Sequence, residues 1–383
     1  MLDAIFLIFT GAAVLGGLAL WTRQPLLLAY ILLGALAGPW GMGVIDDPDT
    51  IEQISQVGIM FLLFLLGLNL HPQKLVKLFG ETLFVTIASG SILALSGAAL
   101  LMLFGFPLRD ALITGGLMLF SSTIIGLKLL PTYQLHHRHT GEIIISILLL
   151  QDVVAILFLL LLQGEEGGAG WSGAAWRLAA LPLLLGGAWL FERYVLTPVM
   201  ARFDTIREFM FLAAVGWCLG FSHLAHLLGL SHEMGAFIAG VALASHPISR
   251  YIAESLKPLR DFFLVMFFFS LGAGFPWPEM GGVVVPMVGL AILMLALKPV
   301  IYAWLLHRAG EKRRLSREIG LRLGQSSEFS LLVAAVAVEA GAISEQAGYL
   351  AQGATLITFV VSSYLVVLRL PTPISANERL RRD

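Results

Sequence analysis

The sequence predicts an all-α polytopic membrane protein with about thirteen transmembrane helices, and three observations carry that expectation. Hydrophobic residues make up 58% of the 383 and charged residues only 13%, with a mean hydropathy of +0.86. That charged share is about half the usual value for a soluble domain. Apolar runs of about twenty residues recur along the chain, each able to cross about 30 Å of hydrocarbon at about 1.5 Å per residue. Finally, Lys and Arg fall almost wholly on one side when the intervening loops are numbered alternately, as the positive-inside rule requires.

The runs are 2–21, 26–40, 51–70, 82–104, 111–130, 142–163, 175–197, 207–228, 232–246, 259–274, 282–306, 319–340 and 346–368. The first lacks a basic leader and carries Asp3, so it reads as a retained helix rather than a cleaved signal. The second and ninth are short, and glycines punctuate many of the others, as expected where membrane helices approach closely. Asn69 closes the third as a cap, and Glu192-Arg193 sit near the end of the seventh as interface anchors. Cys218, the single cysteine, lies inside the eighth, so no disulfide forms within one chain.

Loops after odd-numbered runs, together with the C-terminal tail, hold 18 Lys and Arg residues, whereas the opposite side holds only Arg109 and Arg177. The acidic stretches Asp46-Asp47-Pro48-Asp49 and Glu165-Glu166 also lie on the poorly basic side. The N-terminus is therefore expected outside, and residues 371–383 form a cytoplasmic tail behind a transmembrane domain spanning 1–370.

Two runs are interrupted in corresponding places. The fifth reads Phe120-Ser121-Ser122-Thr123-Ile-Ile-Gly126, and the twelfth reads Gly324-Gln325-Ser326-Ser327-Glu328-Phe329-Ser330. Small and hydroxyl residues at membrane depth suit helices broken at a site. An odd step in the count leads from the fifth to the twelfth, so they cross the membrane in opposite directions. Runs four to six and eleven to thirteen then form an expected inverted repeat. Tight helix contacts lined by serine and glycine are the plainer explanation for the same residues.

Asp152 is the largest anomaly. It lies ten residues from Glu142 and eleven from Gln163, hence about 15 Å from either interface. A charge at that depth costs about 3 kcal/mol even on lenient insertion scales, so a proton or small cation is the expected compensation. A permanent partner base is the structural alternative. Gln151 cannot titrate, but its amide oxygen can coordinate a cation or orient the neighbouring carboxylate. Lys298, followed by Pro299, is the second outlier; it is expected to pair with Asp152, the alternative being snorkelling toward the headgroups. Arg322 and Glu328 occupy the interrupted twelfth run, and Arg322 is expected to reach Glu142 at the cytoplasmic end of the sixth.

Other chemistries find little support. His136-His137-Arg138-His139 has no cysteine and no spaced second pair, so it reads as solvated surface rather than a transition-metal site. His232-Glu233 opens a zinc-protease pattern that fails at Ala236. No nucleophile elbow, phosphate-binding glycine loop or potassium-channel filter sequence appears, and no basic-aromatic patch suggests nucleic acid. An enzyme is not expected, nor any cofactor beyond the transported ions.

With Gln151-Asp152 in the sixth run, Ser121-Ser122-Thr123 in the fifth and Gly324-Gln325-Ser326-Ser327-Glu328-Phe329 in the twelfth, the chain resembles the membrane domain of Kef-type potassium/proton antiporters. These belong to the monovalent cation:proton antiporter-2 superfamily, and the resemblance runs over essentially the whole chain. It implies a sodium/proton antiporter-like fold of thirteen helices. A core (about 82–163 and 282–368) would hold two crossing discontinuous helices, and the remaining helices would form a dimerisation scaffold, hence a homodimer in a bacterial inner membrane. It further implies Asp152 as the ion and proton carboxylate and Gln151 as its neighbour. Thr123 and Ser122 would lie at the crossover, and Lys298 would be the basic residue facing the site. Full-length relatives join such a domain to a cytoplasmic nucleotide-binding regulatory domain. No such domain lies within these residues, so gating by glutathione or nucleotide is not expected of them.

The expected function is K⁺/H⁺ exchange by alternating access, with proton and K⁺ competing for Asp152. Rival readings are the same machine working on Na⁺, a ligand-gated K⁺ channel with Asp152 as a fixed attractant, or a membrane scaffold. If Lys298 stays protonated, one cation exchanges for one proton; if it releases a proton when the cation binds, two protons move. The residue pattern alone leaves that choice open.

Overall fold

A computed structural model describes residues 2–22, 24, 26–45, 48–69, 81–122, 139–163, 171–203, 206–228, 230, 232–244, 248–275 and 281–372. All elements among these are helical: α1 (Leu2–Trp21), α2 (Leu26–Ala37), α3 (Pro48–Asn69), α4 (Glu81–Leu103), α5 (Leu108–Leu117), α6 (His139–Gln163) and α7 (Trp171–Phe191). A π-helical turn (Glu192–Leu196) leads from α7 into α8 (Thr197–Arg202), then α9 (Arg207–Leu227), α10 (His232–Ala244), α11 (Ile248–Ser255), α12 (Lys257–Ala273) and α13 (Val284–Arg308). The last three are α14 (Arg313–Arg322), α15 (Glu328–Glu339) and α16 (Glu345–Arg369). Five of the described helices are long and apolar enough to cross a membrane: α1, α4, α9, α13 and α16.

Helix α11 has no counterpart among the thirteen apolar runs. Its eight residues include Ser249, Arg250, Glu254 and Ser255 beside a small apolar face, too short and too polar to register as a span.

The chain divides into two compact units. One comprises residues 1–13, 30–76 and 163–274; the other comprises 14–29, 77–162 and 275–383. Within the first, helices touch backbone to backbone. A Cβ on Gly240 of α10 would stand 2.1 Å from the Phe64 carbonyl of α3, and one on Gly67 would stand 2.4 Å from the Phe237 carbonyl. Gly34 of α2 and Gly272 of α12 are matched in the same way. These glycines serve close approach, the role their frequency in the sequence suggested.

In the second unit α4, α5, α6 and α13 to α16 pack together. Gly115 of α5 lets it ride on α4, where a Cβ would lie 2.4 Å from the Ala94 carbonyl. Gly320 of α14 does the same against the Pro299 carbonyl of α13. Asp110, which the sequence reading did not single out, is buried in the first turn of α5. It accepts bonds from the Ser344 hydroxyl (2.5 Å) and backbone N–H (3.4 Å), fastening the start of α16.

Elsewhere in this unit His139, ahead of the apolar run of α6, is hydrogen-bonded at 2.7 Å to Glu311 in the α13–α14 turn. The hydrogen bond with the Glu311 carboxylate raises the imidazole's pKa above its ordinary value near 6.5. A raised folded value means the contribution is full below about 6.5 and disappears as pH climbs through the raised value. Glu311→Gln should therefore lower the melting temperature most at about pH 6, by a small amount because His139 is exposed, and the deficit should close at alkaline pH. Melting curves of both proteins across pH check this; a deficit that widens with pH contradicts it.

Candidate functional site: two helix breaks clamped together

Helix α5 stops at Leu117, and Met118 to Ser122 continue without helical structure. Helix α14 stops at Arg322, and α15 begins only at Glu328, so Leu323 to Ser327 form a second break. Both interruptions fall where the serine and glycine clusters placed them. The restart at α15 has a local cause. Ser327 accepts from the Phe329 N–H (3.1 Å), while the Ser330 hydroxyl accepts from the Ser327 N–H (3.3 Å), forming a capping box. A break at membrane depth exposes peptide groups that lipid cannot satisfy, so each must find a partner in the protein.

Four ties between the breaks supply such partners. The Ser121 hydroxyl donates to the Leu323 carbonyl (3.0 Å), and the Gln325 side-chain N–H donates to the Ser122 carbonyl (3.4 Å). The Ser330 hydroxyl donates to the Leu117 carbonyl (2.6 Å). The fourth tie is Lys298, whose side chain is completely buried. Its Nζ donates to the carbonyls of Met118 (3.0 Å) and Phe120 (2.6 Å) in the first break and Gln325 (2.8 Å) in the second. Helix α16 backs the second break: the Ser362 hydroxyl donates to Gln325 Oε1 (3.1 Å), and Thr358 Oγ1 accepts from the Ser326 N–H (3.0 Å).

Gln151 reads the other side of the first break. Its Oε1 accepts from the Ser121 N–H (2.9 Å), and its Nε2 donates to the Leu119 carbonyl (3.1 Å) and the Tyr302 hydroxyl (2.5 Å). A glutamine suits this place because it offers an acceptor and two donors from one planar group. Tyr302 is fully buried and stands one helical turn after Lys298 on α13, so the same face of α13 reaches the first break directly through Lys298 and indirectly through Gln151.

Gln151→Leu should cost more than Tyr302→Phe. The first leaves the Ser121 N–H and Leu119 carbonyl both unpaired, at about 1–3 kcal/mol each; the second removes a hydroxyl whose partners Gln151, Ser89 and Ser121 each keep another hydrogen bond, at about 0.5–1.5 kcal/mol. Melting temperatures of the detergent-solubilised variants check the order, and equal losses would contradict it.

Several sequence expectations are redrawn here. Gln151, expected beside a cation or orienting Asp152, directs its amide to the break. Lys298 gives its three described bonds to main-chain carbonyls, and snorkelling is excluded because the side chain is buried. Arg322 does not meet Glu142. Its buried guanidinium donates to Glu318 Oε1 (3.1 Å) one turn earlier and to the Pro371 carbonyl (2.9 Å), whereas Glu142 is exposed and stands 3.6 Å from His139 Nδ1. The reason is proximity: Glu318 lies on Arg322's own helix face. Glu328, half-buried, opens α15 at the crossing, where an acid favours a helix start. Asp152 occupies the middle of α6, next in chain to Gln151, but its side chain, and with it the expected pairing to Lys298, lies outside the described residues. So do Thr123, the stretch His136-His137-Arg138 and the tail beyond Thr372.

Tyr302, Thr358 and Ser362 were missed. Tyr302 carried a usable signal, since it falls four residues beyond an intramembrane lysine and shares its face. Thr358 and Ser362 are ordinary members of a long helix until the break is placed against them.

Residues 6–368 match the protein family described as "Sodium/hydrogen exchanger, transmembrane". The chain is 28% identical over 364 residues to the iron transporter MagA of Paramagnetospirillum magneticum, covering 92% of this chain and 82% of that protein. It is 31% identical over 340 residues to the glutathione-regulated potassium-efflux system protein KefC of Klebsiella pneumoniae. That similarity covers 85% of this chain but 54% of KefC, so the chain spans about half of that relative's length. Among solved structures, the sodium proton antiporter MjNhaP1 from Methanocaldococcus jannaschii superposes with a TM-score of 0.68 at 16% identity, covering 95% of both chains. At that identity the likeness bears on the fold alone. The all-helical architecture, the two broken helices and the family match over nearly the whole length lead to one conclusion: the chain belongs to the sodium/hydrogen exchanger transmembrane family.

Proposed function

We propose that this multi-pass membrane antiporter exchanges K⁺ for protons by alternating access, with Asp152 as the carboxylate that binds one or the other. The observation that carries the reading is the pair of clamped breaks, with Gln151 bonded directly into one of them and Asp152 next in the chain. An acid at the middle of a membrane helix beside non-helical backbone is an arrangement that makes cation binding tolerable at that depth. In this reading Ser122 and Thr123 supply hydroxyl or carbonyl ligands, and Gln151 fixes the backbone that carries Asp152. Competition for one carboxylate couples the two fluxes, provided the empty charged site crosses poorly.

The Gln-Asp pair and the similarity to KefC favour K⁺. MagA's description as an iron transporter and the sodium antiporter fold supply the rival cargoes. In keeping with the loop charges, the N-terminus lies outside and the tail in the cytoplasm of a bacterial inner membrane, with a homodimer as working unit. The test uses proteoliposomes with an interior pH dye, challenged in turn with K⁺, Na⁺, Li⁺ and Fe²⁺. Proton movement with K⁺ alone supports the proposal, movement with another cation reassigns the cargo, and cation flux without proton movement overturns antiport.

A further inference from the structure

We propose that the turn between α13 and α14 is a binding site for the headgroup of an anionic phospholipid. Arg308, Lys312, Arg313, Arg314 and Arg317 build it, and Trp304 marks where the acyl chains begin. The site is separate from the two breaks and does not depend on which cation is carried.

The sequence builds this turn locally. Helix α13 ends in a Schellman motif: the Gly310 N–H donates to the His307 carbonyl (3.2 Å) and the Glu311 N–H to the Leu306 carbonyl (3.0 Å). Gly310 takes φ +101°, a conformation that glycine adopts without strain. The chain reverses there, and Gly320 seats α14 against the Pro299 carbonyl of α13. The last turn of α13 and the start of α14 therefore share one end of the helix pair, and all five cations fall within 308–317.

All five are exposed. The two acids nearest to them in sequence are already engaged, Glu311 with His139 at 2.7 Å and Glu318 with Arg322 at 3.1 Å. Among the described residues no ion pair engages any of the five. Like charges this close repel one another until an anion joins them, and guanidinium groups match phosphate oxygens in pairs. Basic clusters at the end of a membrane helix attract anionic lipid for this reason.

Surplus positive charge alone would suit any polyanion; position selects the lipid. Helix α13 is long and apolar enough to cross a membrane. Its exposed side chains Ile292, Ala296, Val300 and Trp304 follow one another at four-residue steps, which makes a continuous ridge along a helix. The next step on that ridge is Arg308, whose guanidinium lies over the Trp304 ring, 4.9 Å from its centroid. A half-exposed tryptophan ending an apolar ridge is the residue that membrane interfaces favour. Acyl chains thus lie along the ridge and the phosphate meets Arg308 and the cations of α14. Free phosphate or an acidic peptide matches only the basic half. A lipid seated there joins the ends of α13 and α14, and α14 leads into the second break. Binding to the folded state alone then raises thermal stability.

The experiment records melting curves of the whole chain in neutral detergent, titrated with phosphatidylglycerol, phosphatidylcholine or inorganic phosphate. One variant combines Arg308→Gln, Arg313→Gln and Arg317→Gln. Its control combines Arg379→Gln, Arg381→Gln and Arg382→Gln, removing the same number of charges from the tail. Wild type should gain melting temperature with phosphatidylglycerol alone. The half-saturating concentration should rise at least about tenfold in the first variant and stay at the wild-type value in the control. Salt at about 1 M, which shortens the screening length to about 3 Å, should abolish the wild-type gain. Wild-type Trp304 supplies a reading that needs no charge variant. Brominated phosphatidylglycerol should quench more tryptophan emission than brominated phosphatidylcholine, and Trp304→Phe should remove the excess. Equal responses to the two lipids, equal losses in variant and control, or no excess quenching at Trp304 overturn the proposal. A gain reproduced by inorganic phosphate also overturns it, leaving a site for a free anion.

Discussion

Asp152→Asn is expected to reduce cation-driven proton movement to the level of protein-free liposomes while leaving the protein folded. Asparagine matches the carboxylate in size but can neither take up a proton nor carry the charge that attracts a cation. Every turn of the proposed cycle needs both, so the loss is complete rather than partial. Stability should move the other way. An ionised carboxylate at the bilayer centre costs about 2.5–3.5 kcal/mol on insertion scales, and the amide relieves much of that cost. A melting temperature equal to or above wild type, together with a flat pH-dye trace, is the expected pair of results. Residual coupled exchange above background would show that Asp152 is not the carrier. A flat trace with a collapsed melting temperature would show only that it holds the fold.

The helices and the two breaks were legible from residue order because each leaves a local mark. Twenty apolar residues announce a span, and Ser121-Ser122 and Gly324-Gln325-Ser326-Ser327 announce interruptions that lipid would otherwise forbid. The outlying residues were legible as anomalies, but their partners were not. Lys298 and Asp152 look complementary because charge seeks charge, yet a lysine in an apolar setting can be satisfied by backbone oxygens that no side-chain pattern advertises. Those oxygens become available only because two helices end at the same point, which is a property of the tertiary arrangement. Arg322 shows the same limit on a smaller scale. The residue pattern points Arg322 to the distant Glu142, whereas its partner is Glu318 one turn away, because residues four apart on a helix are neighbours. Gln151 was read through its neighbour Asp152, while its own bonds run to Leu119, Ser121 and Tyr302, all distant in sequence.

Lys298→Met should be among the most destabilising single changes in this chain. Methionine is close to lysine in length and fully apolar, so the cavity left behind is small and lost packing is not the main term. What disappears is the donor set. The carbonyls of Met118, Phe120 and Gln325 are left without their shared partner, and each buried unsatisfied group costs about 1–3 kcal/mol. The C-terminal ends of α5 and α14 would also face one another with no positive charge between them. Against this stands the cost of burying the ammonium in the first place, which the substitution removes. The net should still be a loss, because three buried carbonyls left unpaired at about 1–3 kcal/mol each outweigh the relief of that cost. The measurement is melting temperature and monodispersity after extraction in mild detergent. The three remaining ties, at Ser121, Gln325 and Ser330, should hold the breaks in part, so a lowered but cooperative transition is expected. A variant as stable as wild type would mean that the carbonyls find water when the lysine is gone, and that Lys298 does not hold the two breaks together.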